Sequence, residues 1–235
     1  LGPVQFRSDF GVRNNQDTNM GNFGFGIGIV HYMDFFHRSF YSYTYQDNYF
    51  KDHFKLRTEI SYNESNLEHL GQWVDASRTS ENAKRLRGHK GVGKNLDFGT
   101  QLEFFPRSMH AFQASTFRIS PYLSAGIHYT LFFPEASTSY ENPDPTAIGD
   151  INNVSNFFSG WEPGSIDPSR GGTFSLVTSV GFRYKINVMS DIVIDLRWQN
   201  YFSDWVDGLN HQLNSNTNND WLLWLNIGYV YYIDD

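Results

Sequence analysis

Thr173-Phe-Ser-Leu-Val-Thr-Ser-Val-Gly-Phe-Arg-Tyr-Lys-Ile186 is the stretch that decides the fold. Read two residues at a time, it separates Phe174, Leu176, Thr178, Val180, Phe182, Tyr184 and Ile186 from Thr173, Ser175, Val177, Ser179, Gly181, Arg183 and Lys185. Asn187-Val-Met-Ser190 makes a tight connection, after which Ile192, Ile194, Leu196 and Trp198 oppose Asp195, Arg197, Gln199 and Tyr201. Strand side chains alternate faces with period two, so this is a long hairpin with one apolar and one polar face.

The same alternation recurs on both sides of it. Val4, Phe6 and Phe10 oppose Gln5, Arg7 and Asp9; Phe23, Phe25, Ile27 and Ile29 oppose Gly24, Gly26, Gly28 and Val30. Phe54, Leu56, Ile60 and Tyr62 oppose Lys55, Arg57, Glu59 and Ser61, and Leu96, Phe98, Leu102 and Phe104 oppose Asp97, Gly99, Gln101 and Glu103. A strand over 117–133 sets Ile119, Leu123, Ile127 and Leu131 against Arg118, Ser120, Ser124 and His128. A last one over 221–233 sets Leu223, Leu225, Ile227 and Tyr229 against Trp224, Asn226 and Gly228. Eight strands and a single domain over 1–235 are predicted. Polar loops at 11–21, 63–95, 134–172 and 203–220 fall at one end, and a short helix ending at Gly88 is expected within 63–95. At the other end the connections are short, except for an aromatic-rich stretch over 34–53. Short turns at one end and long loops at the other are the layout of an outer-membrane barrel.

Alternation alone does not say which face is outside. A lipocalin-like barrel would turn the apolar set inward. The opposite arrangement is favoured because glycine mixed with charge on the polar face suits a narrow interior that side chains must fill. Aromatics also cluster towards both ends of the apolar face: Phe23, Tyr62, Tyr129, Trp198 and Trp221 at the loop end, and Phe54, Phe104, Phe117, Tyr184 and Tyr231 at the turn end. The third reason is charge. Arg7, Lys55, Arg57, Arg118, Arg183, Lys185 and Arg197 are nearly balanced by Asp9, Glu59, Asp97, Glu103 and Asp195, and buried charge is tolerable only when paired. The expectation is an all-β, eight-stranded antiparallel up-and-down transmembrane barrel with a filled lumen and both termini periplasmic.

Composition narrows the function. The 235 residues include 17% aromatic and only 18% charged residues, and a net charge of -7 argues against nucleic-acid binding. No apolar run of about 20 residues exists, which excludes a transmembrane helix. The absence of cysteine removes any disulfide or thiolate metal site. The chain opens on Leu1 rather than Met, which leaves room for a removed export signal. Gly24-Phe-Gly-Ile-Gly28 has no following helix to make a phosphate loop. The histidines lack ligand spacing, and no Gly-x-Ser-x-Gly elbow is present, so no catalytic residue, metal or cofactor is assigned. His128 is the one inward histidine, read as a core group ahead of a base. Asp204, Asp207, Asn210, Asn218, Asn219 and Asp220 are read as turn residues ahead of calcium ligands. Lys84, Arg85, Arg87 and Lys90 form a basic cluster that would either meet lipopolysaccharide phosphates or be solvated. Phe35, Phe36, Phe40, Tyr41, Tyr43 and Tyr45, with Tyr49 and Phe50, would either make a docking surface for a partner protein, or fold back as a self-packed turn or extend the strands.

Several stretches carry a family resemblance: Gly2-Pro-Val-Gln-Phe-Arg-Ser-Asp-Phe-Gly11, Gly26-Ile-Gly-Ile-Val-His-Tyr32, Phe54-Lys-Leu-Arg-Thr-Glu-Ile-Ser-Tyr62, Asn95-Leu-Asp-Phe-Gly-Thr-Gln-Leu-Glu103 and Asn219-Asp-Trp-Leu-Leu-Trp-Leu-Asn226. In these the chain resembles a family of small outer-membrane β-barrels from flavobacteria and other Bacteroidota. More distantly it is similar to the small outer-membrane barrel of the type IX secretion machinery, through Asp9-Phe-Gly11, Pro121-Tyr122 and Asn219-Asp-Trp221, and departs from it at 34–53. The flavobacterial family brings no settled function, and the type IX relative implies a tether for a periplasmic ring; with a filled lumen, the expectation is a non-enzymatic scaffold or accessory subunit in the outer membrane, touching lipid, lipopolysaccharide and other outer-membrane or periplasmic proteins. A lipid A or phospholipid acyl-modifying enzyme and a narrow channel are the alternatives.

Overall fold

The structure, a computed structural model, describes residues 1–12, 15–35, 49–213 and 219–233. Its strands are β1 (Gly2–Arg7), β2 (Phe23–Asp34), β3 (Phe54–Glu68), β4 (His89–Phe104), β5 (Ile119–Phe132), β6 (Glu135–Thr138), β7 (Gly171–Asn187), β8 (Ser190–Tyr201) and β9 (Trp221–Tyr231). Short helices α1 (Tyr49–His53), α2 (Glu81–Gly88) and α3 (Met109–Gln113) interrupt them. All pairings are antiparallel, and the strands other than β6 run round in a ring from β1 through β2, β3, β4, β5, β7, β8 and β9 back to β1. The result is an eight-stranded up-and-down barrel. β6 is a flap on the loop-end extension of β4.

Burial follows the alternation. Along β7, Ser175, Val177, Ser179, Arg183 and Lys185 are buried, while Phe174, Leu176, Val180, Phe182, Tyr184 and Ile186 are exposed. β3 likewise buries Lys55, Arg57, Glu59, Ser61 and Asn63 and leaves Ile60 and Tyr62 outside. Ile29 is 81% exposed and Ile127 57%. A water-soluble barrel would bury such residues at the expense of the charges, so the outer wall is built for hydrocarbon. Phe23, Tyr62, Tyr129 and Trp198 rim its loop end, and Tyr184 and Tyr231 its turn end. The described helices are too short or too polar to cross a membrane.

The β7–β8 connection is set locally, since Asn187 Oδ1 accepts the Met189 N–H at 2.8 Å. α2 starts where Ser80 accepts the Ala83 N–H at 3.3 Å and ends at Gly88, as the sequence predicts. α3, capped by Ser108, folds Met109 and Phe112 back against Phe105, Tyr122 and Val193 to fill the turn end of the lumen. Val4, Phe6, Leu67, Tyr201, Leu222 and Trp224 fill its loop end.

Three differences from the sequence reading have physical causes. First, 63–95 is not one loop: β3 runs on to Glu68 and pairs with β4 from His89, held by a Lys90–Glu68 ion pair at 3.0 Å. There the wall stands clear of the apolar band, its outer face no longer needs to be apolar, and the period-two signal fades. Second, β6 forms within the 134–172 loop to cover the edge of that extension. Third, β1 turns Val4 and Phe6 inward and Gln5 and Arg7 outward, because the lumen at that level is apolar.

Ile127 sits at mid-wall, opposite Thr100 and Leu176. Ile127→Arg is expected to cost about 2–4 kcal/mol in lipid vesicles, the penalty for a cation at mid-bilayer. Urea unfolding checks it; an unchanged midpoint would mean that this face does not meet hydrocarbon.

Candidate functional site

Between the two apolar fillings the lumen holds an ionic crossbar. Arg57 donates to Glu59 from Nε and Nη2 at 3.0 and 2.7 Å, and its Nη1 reaches Asp195 at 3.2 Å and Glu103 at 3.6 Å. Arg183 pairs with Glu103 at 2.7 Å and Arg197 with Glu59 at 2.6 Å. Three guanidinium groups thus meet three carboxylates. Asp195 also accepts from Tyr122 and Asn226, at 2.8 and 2.9 Å. Arg183 lies 4.0 Å over the Tyr32 ring and Arg197 4.9 Å over Trp224, so the flat faces of these cations rest on aromatics.

One layer towards the loops, Asp97 is held by the neutral donors Asn63, Gln199 and Thr130. One layer towards the turns, Lys55 pairs with Asp34 at 2.8 Å and Lys185 with Asp191 at 3.4 Å. His128 Nε2 hydrogen-bonds the Gln101 side-chain amide at 3.2 Å.

Of the residues expected in the lumen network, Lys55, Arg57, Glu59, Asp97, Glu103, Arg183, Lys185, Asp195 and Arg197 are buried there. Arg7, Asp9 and Arg118 are not. Arg7 faces outward, 5.7 Å over the Trp221 ring, and Arg118 is exposed at the turn end. Asp9 lies beyond the end of β1, among the loops. The sequence reading missed Asp191 and Asp34, which complete Lys185 and Lys55. Asp191 shares a period-two face with Asp195 and Arg197, so that signal was present.

Each basic residue of the α2 region has a local partner: Lys84 pairs with Glu81 at 2.7 Å, Arg85 donates to Asn82 at 3.3 Å, Arg87 to the Asp75 carbonyl at 2.8 Å, and Lys90 pairs with Glu68. Of the aromatic docking set, Phe36, Phe40, Tyr41, Tyr43 and Tyr45 lie outside the described residues. Phe35 packs on Phe50 with ring centroids 5.0 Å apart, and Phe50 on Phe54 at 4.7 Å.

A second constellation sits above the loop-end filling. Loops from four parts of the chain enclose a cavity of about 480 Å³ lined by Phe10, His69, Trp73, Leu86, Phe158 and Trp161. His69 Nε2 and His89 Nδ1 are 2.9 Å apart, and Phe10 stacks on both rings. Burial pushes His69 down to about 3. Beside the cavity, Asp9, Asp204 and Asp220 each bring a carboxylate oxygen within 4.8 Å of the others. Asp207 ties them together, accepting the Asp9 N–H at 3.0 Å and donating its own N–H to Asp220 at 3.3 Å. Burial raises Asp207 to about 7, and burial followed by Asp207 raises Asp220. Asp204, Asp207 and Asp220, named as loop acids from the sequence, do come together. The joining residue, Asp9, is 198 positions from Asp207, and no local pattern could have found it.

A ring of antiparallel strands with an apolar outer wall and a charged, hydrogen-bonded interior defines a transmembrane β-barrel. No protein-family model and no curated protein matches the chain. Among solved structures it is similar to Neisserial surface protein A, at 13% identity and a TM-score of 0.46, over 99% of this chain and 92% of that one. It is also similar to the outer membrane protein OprG from Pseudomonas aeruginosa, at 12% identity and a TM-score of 0.42, over 99% and 93%.

Arg57→Ala would leave Glu59, Glu103 and Asp195 facing one another without their central cation. The expected loss is about 3–5 kcal/mol in urea unfolding, that of breaking a buried pair; a loss below about 1 kcal/mol would show the crossbar to be dispensable. The imidazole of His69 binds protons less readily folded than unfolded, so its contribution is present above about 6.5 and is lost as pH falls towards about 3. His69→Gln should therefore gain stability relative to the parent chain as pH is lowered through that window. Parallel pH profiles would contradict the buried, neutral imidazole.

Proposed function

We propose that the chain is a non-enzymatic barrel of a bacterial outer membrane, acting as a fixed scaffold or accessory subunit of an outer-membrane protein complex. The observation that carries this reading is the filled lumen. Apolar side chains occupy both ends, and the Arg57, Arg183 and Arg197 pairs span the middle. A narrow channel would need a continuous water path where those side chains stand. Function is thereby displaced to the loops, the turns and the outer wall. Closed barrels with an aromatic-rimmed apolar wall belong to outer membranes, and their short turns face the periplasm. That rule places the loop end outside, with Lys84, Arg85, Arg87 and Lys90 towards lipopolysaccharide. The turn end, with Phe35, α1 and α3, then meets a periplasmic partner. The distant resemblance of Asp9-Phe-Gly11, Pro121-Tyr122 and Asn219-Asp-Trp221 to the type IX secretion barrel is what favours a partner in a secretion apparatus.

Solubilised from native membranes, the protein should carry a defined partner that is lost when 36–48 is shortened; unchanged partners would remove the docking role. Steady conductance in planar bilayers would defeat the filled-lumen reading. An altered lipid A acyl pattern in a deletion strain would favour an enzyme.

The loop-end cavity favours a second reading. At about 480 Å³ it has the size of a small-molecule site, its lining is aromatic, and Arg78 lies over Trp73 at its edge, 5.5 Å from the ring centroid. An apolar body with one anionic group suits it. Naphthalene-2-carboxylate should quench Trp161 and Trp73 saturably, and Ala83→Trp, which fills the cavity, should abolish that quenching. Equal quenching in both proteins would retire this reading.

A further inference from the structure

Between β4 and β5 the chain leaves the wall at the turn end over residues 105–118, and an arginine stands near each exit. Arg107 comes three residues after Phe104, which closes the outer face of β4 below Leu102 and packs on Phe54 with ring centroids 5.1 Å apart. Arg118 immediately precedes Ile119, the first residue of β5, which is exposed and lies opposite Tyr184 of the turn-end aromatic rim. β4 and β5 are neighbours in the barrel, with Phe104 opposite Leu123, so the two exits lie side by side. Phe117 draws the arginines together. Its ring packs on Phe112 of the turn-end filling, with centroids 5.8 Å apart, and Arg107 lies 5.3 Å over it, one residue from Arg118. Both arginines are exposed. Among the described residues neither forms an ion pair, whereas Lys84, Lys90 and Lys94 at the loop end are each paired with a glutamate.

A guanidinium keeps its charge at any physiological pH, so two of them gathered without an acid repel each other, and an anion between them offsets that repulsion. Position selects the anion. A residue spans at most about 3.6 Å, which keeps Arg107 within about 11 Å of Phe104 on the outer wall, and Arg118 adjoins the lipid-facing Ile119. Both therefore stand just past the edge of the apolar band, in the layer of lipid headgroups. We propose that Arg107 and Arg118 bind the phosphate of a glycerophospholipid whose acyl chains lie on the outer wall over Leu102, Ile119 and Leu123. Those three side chains are 37%, 51% and 56% exposed, and they leave an apolar track running up from the arginines. The planar fork of each guanidinium offers paired N–H donors to phosphate oxygens. Phe117 holds one fork in place, which lowers the freedom lost on binding. Inorganic phosphate would meet the same donors and none of the wall, so the chains set a lipid apart from a free anion. The site depends on the apolar wall and these side chains alone, and it stands or falls apart from the scaffold reading.

Native mass spectrometry of the full chain, released from detergent micelles doped with dioleoyl phosphatidylglycerol, provides the test. The parent chain should retain this lipid in preference to dioleoylglycerol, which has the same chains and no phosphate. Arg107→Gln combined with Arg118→Gln should weaken retention by about tenfold or more, the effect of two basic contacts at a membrane surface. Lys84→Gln combined with Lys90→Gln removes lysines that are already paired and should change it by less than about twofold. Arg107→Lys with Arg118→Lys keeps the charge and should recover part of the loss. Both arginines are exposed, so the variants should fold, which the mobility difference between unheated and heated samples on a gel verifies. Equal retention by the glutamine pair and the parent, equal retention of dioleoylglycerol, or displacement of the lipid by millimolar inorganic phosphate would each overturn the proposal. Unchanged lipid retention together with loss of a co-purifying protein would assign the arginines to that partner instead.

Discussion

The pairing of Arg57 with Glu59, Glu103 and Asp195 is the interaction on which the rest of this barrel depends. A wall facing hydrocarbon sends its polar residues inward, where a lumen this narrow leaves little room for bulk water. Charges confined there are stable only if each finds a counter-charge and further hydrogen bonds. The crossbar supplies the counter-charges by linking β3, β4 and β8 across the interior, while Arg183 and Arg197 draw in β7 and the far side of β8. Packing cooperates with charge. Tyr32, Phe105 and Trp224 lie under the guanidinium faces, so the same side chains that exclude water also receive the cations.

Close approach inside the barrel is achieved by omitting side chains at particular points. At Gly99 a Cβ would lie 2.1 Å from the His128 ring, and at Gly26 it would strike Trp224 at 2.3 Å. These two glycines let one bulky group each from β5 and β9 reach across to the neighbouring wall. They are spacers for packing, and they account for the mixture of glycine and charge on the polar face. The apolar fillings at the two ends differ in origin. The turn-end filling comes from α3 folding back beneath the strands, whereas the loop-end filling comes from the strands themselves together with Val206 and Leu209.

Above that filling the chemistry changes from ion pairs to stacked rings and buried carboxyl groups. Phe10, His69, His89, Trp161 and His211 stack around the vestibule, and Asp207 and Asp220 sit where burial favours their protonated forms. The wall below is a rigid frame, because every long strand is paired over most of its length. The loops are therefore held on a platform whose shape does not depend on what binds there.

The sequence by itself determined the strand count, the outward face of most strands and the inventory of lumen charges. Period-two alternation is a local property of the backbone, and Thr173–Ile186 displays it without any knowledge of neighbours. It failed at β1 and at the loop-end reach of β3 and β4 for one reason: alternation of polarity reports the two environments of a strand, and there both environments differ from those at mid-wall. Beside Val4 and Phe6 the interior is apolar, and beside Asn63–Glu68 the exterior is water. Only the tertiary structure decided which cation meets which carboxylate and brought Asp9 to Asp207. Those are relations between segments far apart in the chain, set by ring closure and register, and no local pattern of residues encodes them.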